Sequence, residues 1–263
     1  MYSFYNIAIN EIRKELLLVW SYRIQWLCEI IALTLFFFFL SRMNYAFSKD
    51  NNLEFSLMSY ATWFYAILII GDMAGKLANE MRTGTFEQVS LAVVSMPWIL
   101  IARVFASIIR ATALFLLLII PLATLFSIHI SIQNIGLFFA VFVGLLPGLL
   151  GLSFLLGGIT FILKEAGPVI NIVNNTLLFL SGGFVPLDTF PNWVVTISKH
   201  LPTTQAISIF RTNIQFPAHS FFPLAKVEIG NLVVHSCTYL MIGLLAFLYC
   251  EKKAKSAGSL GHY

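Results

Sequence analysis

Long apolar runs alternate with short polar breaks along most of the chain, and the spacing inside each run sets the elements. Tyr5, Ala8, Ile9, Ile12, Leu16, Val19 and Trp20 recur at helical spacing, with Asn6, Asn10, Arg13 and Lys14 elsewhere on the wheel. This predicts an amphipathic helix over 4–20, lying flat on the headgroups through its basic residues and Trp20. A first apolar run, 24–41, is bracketed by Arg23 and Arg42 and suits a bilayer core that needs about 20 residues. Polar residues over 43–56 predict an external loop. A second span, 57–73, ends near Asp72 and Lys76.

The third span starts near Trp98, just after Pro97, and continues to Ile130 with a kink expected at Pro121. Arg103 and Arg110, near its start, are expected to snorkel toward the headgroups. The turn 131–134 leads into a fourth span, 135–163, rich in glycine: Gly144 and Gly148 flank Pro147, and Gly157–Gly158 follow. Close helix packing is the favoured explanation, a gating hinge the other. The fifth span starts at Pro168, suited to a first helical turn, and runs to Phe184. Helix starts at Asp188/Thr189 and Pro191, with breakers at Pro186 and Pro202, then predict short external helices. A re-entrant arrangement of that kind needs shielding by protein. A loop containing Arg211, His219 and Pro223 precedes the last span, 227–249, which ends in EKKAK.

Composition turns these runs into a class. Hydrophobic residues make up 59% of the 263 positions and charged residues 11%, where a soluble domain carries roughly 25% charged. With a mean hydropathy of +0.85, the chain reads as an all-α integral membrane protein: one domain, 1–263, with six transmembrane helices, an N-terminal interfacial helix, and re-entrant short helices between the fifth and sixth spans. No cleavable signal peptide is expected, because Glu11, Arg13, Lys14 and Glu15 precede any apolar stretch.

Charge gives orientation. With both termini cytoplasmic, Arg13, Lys14, Lys76, Arg82, Arg103, Lys164, Lys252, Lys253 and Lys255 fall inside. Only Lys49, Lys199 and Arg211 fall outside, with Arg42 at the boundary. The net charge of +4 is read as this bias, and no nucleic-acid partner is expected. Cys28, Cys237 and Cys250 lack metal-binding or disulfide spacing, and no metal site is expected. The run Gly71 to Leu77 superficially resembles a P-loop. It has one residue too few between the glycines and no Ser or Thr after Lys76, so the chain has no ATPase motif of its own.

The most informative stretch is Glu80–Leu91, EMRTGTFEQVSL, wedged between two apolar runs. Its charges would each cost several kcal/mol in hydrocarbon, which places it in a compact cytoplasmic segment, 78–96. It is either an ordinary charged loop or a surface that takes a push from a soluble partner; Thr83 is positioned to cap a second short helix. Asn171, Asn174 and Asn175 form an i, i+3, i+4 stripe, read as interhelical hydrogen bonding or as a pathway or dimer-seam patch. Trp63, Phe64 and Tyr65 are read first as interfacial belt anchors and second as lining of an amphiphile route. Glu29 sits at the cytoplasmic rim near Arg23, or contacts a cationic substrate. His129 and His235 are isolated and read as structural.

Three features together are similar to a known family: the amphipathic start before six spans; Glu80-Met-Arg-Thr-Gly-Thr-Phe-Glu-Gln before Pro97; and Ser181-Gly-Gly-Phe-Val-Pro-Leu-Asp-Thr-Phe-Pro-Asn-Trp with the later Leu201-Pro-Thr-Thr. The chain resembles the permease subunit of a type-2 ATP-binding-cassette exporter. Glu80, Gly84, Thr85 and Glu87 match that family's loop after the second span, with Val89 where Leu is usual. Pro186, Pro191, Trp193, Pro202 and Thr204 match its external stretch.

The resemblance implies a dimer with a second copy or a paralogue, enclosing a pathway and surrounded by membrane lipids. It also implies separate ATPase subunits that carry ATP and Mg, so this chain needs no cofactor and is no enzyme. Glu80, Arg82, Gly84, Thr85 and Glu87 are then coupling residues. Asn171, Asn174, Asn175, Trp63, Tyr65 and Glu29 are expected at the pathway or seam. Gly182, Gly183, Pro186, Pro191, Trp193 and Pro202 form an external re-entrant gate. The expected setting is a prokaryotic inner membrane and the expected cargo an amphiphile such as a drug, lipid or peptide. A polysaccharide or lipid-linked glycan is the alternative cargo; a membrane-embedded enzyme or a passive channel fits less well.

Overall fold

The computed structural model describes residues 4–48, 53–84, 96–126, 132–163, 167–215 and 218–256. These residues form α1 (Phe4–Ser21), α2 (Arg23–Ser48), α3 (Leu53–Arg82), α4 (Met96–Leu125), α5 (Ile132–Thr160), α6 (Gly167–Leu180), a 3₁₀ turn (Leu187–Thr189), α7 (Asn192–His200), α8 (Pro202–Gln215) and α9 (Ala218–Ser256). The chain is all-α among the described residues, as its composition requires.

Among the described residues, five helices are long and apolar enough to cross a membrane: α2, α3, α4, α5 and α9. The expected fifth span is shorter than its sequence indicated. Helix α6 ends at Leu180, and its 14 residues give only about 21 Å against a hydrocarbon core of about 30 Å. The chain stops being helical at Ser181-Gly182-Gly183, where Gly182 takes φ +73°, and folds back so that Phe184 and Val185 are buried. The loop expected over 43–56 is mostly helix, since α2 runs to Ser48 and α3 begins at Leu53. The loop expected around Arg211 is also helical, in α8, and α9 begins before Pro223.

Helix α3 is the axis of the bundle. It packs against α2, α4, α5, α6 and α8, and 72% of its apolar window is buried, against 11% for α2. Its aromatic residues therefore fill the interior and are not belt anchors. Tyr60 is fully buried and donates from its hydroxyl to the Leu33 carbonyl at 2.9 Å. Trp63 and Tyr65 are 7% and 4% exposed; Tyr65 packs edge-on against Phe115 and Phe142.

The most extensive contact joins α5 and α9, and glycine makes it. Gly144, Gly148, Gly151 and Gly158 recur along one face of α5. A Cβ at Gly144 would press on Val233, one at Gly148 on Pro202 and Ser236, one at Gly151 on the Tyr239 backbone, and one at Gly158 on the Phe247 backbone. These glycines serve close packing, the favoured sequence reading.

Helix α1 turns much of its apolar stripe away from the bundle. Ile9, Leu16, Leu17, Leu18 and Trp20 are exposed, while Glu15 is only 4% exposed. The side facing the bundle carries Glu11, Ile12, Glu15 and Val19 at successive helical turns. Two acids thus point inward, and what they meet defines the site.

Candidate functional site

At the end of the bundle where α1, the C-terminal half of α3 and the N-terminal half of α4 converge, their charged residues form one ionic cluster. Helix α3 supplies Asp72, Lys76 and Glu80 at four-residue intervals; α4 supplies Arg103, Ser107 and Arg110 on one face; α1 supplies Glu11 and Glu15. Lys76 Nζ lies 2.6 Å from Glu15 and 2.8 Å from Asp72, and donates to Ser107 Oγ at 3.2 Å. Arg103 forks onto Glu80, with Nη2 at 2.7 Å from one oxygen and Nη1 at 2.9 Å from the other, and reaches Glu11 at 3.8 Å. Arg110 places Nε 3.1 Å from Glu15 and pairs through Nη2 with Asp72, which also accepts from Ser107.

Arg103 and Arg110 therefore do not snorkel to headgroups. Their charges are met inside the protein by carboxylates from two other helices. The side chains of Glu15 and Asp72 are each 5% exposed, so removing Arg110 leaves two buried carboxylates sharing the single charge of Lys76. Such sets resist loss of one member far more than they stabilise when complete. The cluster therefore acts as a brace that fixes α1 and α4 to one register on α3.

The brace ends where α3 ends. Glu80 is partly buried in its fork with Arg103, while Arg82 and Gly84, two and four residues on, are exposed. Thr83 bonds back into α3, its hydroxyl donating to the Asn79 carbonyl at 2.9 Å; the second helix it is expected to cap would lie outside the described residues. Gly84 leaves with φ +71°, a left-handed conformation that glycine adopts at no steric cost. Thr85 and Glu87 lie outside the described residues.

The structure separates the other expected pathway residues. Asn171 and Asn175 are exposed on α6, one turn apart, beside exposed Ile172 and Phe179. Among the described residues neither amide has a hydrogen bond, so the expected interhelical bonding within the chain is not made. Asn174 turns inward: its backbone carbonyl accepts from Trp63 Nε1 at 3.2 Å, and its side-chain oxygen is buried without a partner. Trp63 and Tyr65 lie inside the protomer, Tyr65 sharing a 3.3 Å hydrogen bond with Thr112. Glu29 is exposed on α2 with no ion pair among the described residues.

Residues 10–215 match the ABC-2 type transporter family. The chain belongs to that family. No curated protein and no solved structure matches it. The matched range runs from α1 through α8 and so includes the whole brace and the helices at the opposite end. This chain is accordingly a multi-pass transmembrane permease component of an ABC transporter, and the family as a whole works with ABC ATPase partners.

At the opposite end, the permease carries the Gly/Pro-rich segment as a folded corner. Pro191 and Pro202 open α7 and α8, each where a missing N–H costs nothing, and Pro186 precedes the 3₁₀ turn. Helix α8 is shielded by α3, α5 and α9, burying Ala206, Ile207, Ile209 and Phe210. Trp193, in contrast, is 69% exposed on α7. Gly183 faces α3, where a Cβ would come within 2.7 Å of Ser59 Cβ.

Arg211 was overlooked as a site residue because its surroundings read as loop. Its Nη2 donates to the Gly182 carbonyl at 2.7 Å and its guanidinium lies 5.0 Å from the Phe55 ring centroid. It ties the glycine corner to α3. His235 is not isolated either; its ring lies 6.1 Å from that of His200.

Gly182 and Gly84 share a positive φ but not their surroundings. A Cβ at Gly182 would come within 2.8 Å of Leu187, whereas one at Gly84 meets nothing within 4 Å. Gly182→Ala is expected to cost about 2–3 kcal/mol, and Gly84→Ala about 1 kcal/mol, the intrinsic left-handed penalty alone. Thermal melts of the two variants in one detergent check the order.

Proposed function

We propose that this chain is the membrane subunit of an exporter. Two copies, or one copy and a paralogue, enclose the pathway, and ATPase subunits carrying ATP and Mg dock at the brace end, on the cytoplasmic side of a prokaryotic inner membrane with both termini inside. The observation that carries this reading is the continuity of α3. The axial helix of the bundle, clamped by the ionic brace, itself carries the first residues, Glu80 to Arg82, of the charged segment whose Glu80, Gly84, Thr85 and Glu87 match the coupling loop of ABC exporter permeases.

In this reading a displacement of the segment by ATPase closure is passed to α1, α3 and α4 as one body. The residues divide the work. Arg82, exposed at the end of α3, is placed for ATPase contact, and Thr85 and Glu87 share that role. Glu80 acts as a positioning residue through its fork with Arg103. Asn171 and Asn175 face the pathway or the seam between copies, because amides left in lipid would be unsatisfied. The cargo is an amphiphile of drug, lipid or peptide type, in keeping with a Gly182-to-Pro202 gate built of short elements.

In proteoliposomes with its ATPase, Glu80→Ala and Glu87→Arg are each expected to preserve ATP hydrolysis while reducing transport about tenfold, equivalent to about 1.4 kcal/mol of lost coupling. If both variants transport and dock normally, this segment is not the coupling element.

A further inference from the structure

Beside the brace, a groove of about 540 Å³ runs between the α1–α2 elbow and α3. We propose that it holds one phospholipid of the cytoplasmic leaflet, bearing a primary-ammonium headgroup of the phosphatidylethanolamine type.

The groove changes character along its length. At one end lie Glu15, Asp72, Lys76 and Arg110; at the other, Ile67 and Leu68 of α3 face Leu18 and Trp26 of the elbow. From Lys76 up to Ile67 is nine residues of helix, about 13 Å, close to one leaflet of a hydrocarbon core about 30 Å thick. Its depth and polarity therefore follow those of a single lipid. Glycine keeps the floor open: a Cβ at Gly75 would meet nothing within 4 Å, and one at Gly71 only Ile170, at 3.5 Å.

The bonds already made select the headgroup. Lys76 spends its three donors on Glu15, Asp72 and Ser107, so it has none to offer. Glu15 uses one partner on each oxygen and retains lone pairs for an ammonium. Arg110 pairs with Asp72 through Nη2 and sets Nε 3.1 Å from Glu15 without hydrogen-bond alignment, so its five donors are not exhausted within the brace and can serve a phosphate. An ammonium and a phosphate a few atoms apart complement this pair. A choline headgroup offers no N–H, and a glycerol headgroup carries no cation.

The leaflet assignment rests on the orientation proposed above; the headgroup preference does not, so the two fail separately. The full-length protein in detergent is titrated with phosphatidylethanolamine, phosphatidylcholine and phosphatidylglycerol, and retention is read by native mass spectrometry. Phosphatidylethanolamine is expected to be retained at one copy per chain, at least tenfold more tightly than the others. Gly75→Phe, which fills the groove, is expected to abolish that preference. Glu15→Gln is expected to reduce phosphatidylethanolamine to the level of phosphatidylcholine while leaving the latter unchanged. Equal retention of all three lipids by the wild type, or an undiminished preference in either folded variant, overturns the site.

Discussion

Arg110→Met is expected to cost about 3–5 kcal/mol of folding stability, the range found when one member of a buried ion set is removed. The reason is what stays behind. Asp72 and Glu15, nearly inaccessible to solvent, would both depend on Lys76, so one carboxylate charge would be uncompensated. The companion Arg110→Met/Glu15→Gln restores the balance, with Lys76 serving Asp72, and is expected to recover more than half of the loss. Unfolding of both proteins in the same detergent gives the comparison. A single variant within about 0.5 kcal/mol of wild type would mean that the pairs behave as exposed surface contacts, and the brace would lose its mechanical role. On the proposed function the same variants are expected to weaken coupling even where ATPase docking survives, because the brace no longer holds α1 and α4 to α3 at that end.

Gly151→Leu is the second large effect. At this position α5 and α9 approach until backbone faces backbone: a Cβ on Gly151 would overlap the Tyr239 peptide group, and one on Gly243 the Gly151 carbonyl. A side chain can rotate away from a clash, but a helix backbone cannot. The two helices would have to separate along their whole contact, and about 3 kcal/mol or more is expected to be lost, the upper end of overpacking costs. Gly230→Ala in α9 is the matched control. Nothing lies within 4 Å of its added methyl, and a gain of about 0.5–1 kcal/mol is expected from helix propensity alone. Melting temperatures of the two variants should move in opposite directions; similar shifts would show that the α5–α9 contact is looser than its glycines indicate.

Several features were legible before any coordinates. The apolar runs marked the spanning helices because a membrane segment must be apolar over about 20 residues whatever its neighbours. Proline placed the start of α7, because its missing N–H and fixed φ are local properties; Pro202, read only as a breaker, opens α8. The charged segment announced itself by being unable to enter lipid, and its motif led to the family that the match over residues 10–215 bears out.

Elsewhere a local reading misled. The expectation that α1 lies on the headgroups through its basic residues left its acids, Glu11 and Glu15, without a role. The bundle instead presents Arg103 and Arg110, and Glu11 and Glu15 turn toward them. Trp63 and Tyr65 were assigned to an interface because aromatic residues often sit there, but α3 is enclosed by other helices and has no such interface over that stretch. Arg211 looked like a loop residue until α8 formed and carried it to the Gly182 carbonyl.

Transfer free energy adds up residue by residue, so a linear chain was sufficient to establish an all-α membrane protein, the approximate positions of its helices, and the presence of a charged element between the second and third long apolar runs. Charge pairing does not add up in that way. Whether Glu15 is an exposed headgroup contact or half of a buried pair depends on how α1 is rotated against α4, and whether Asn171 faces its own bundle depends on how α6 leans on α3. Those rotations are set by packing among helices far apart in sequence, and they turned a row of separate charges into a single brace.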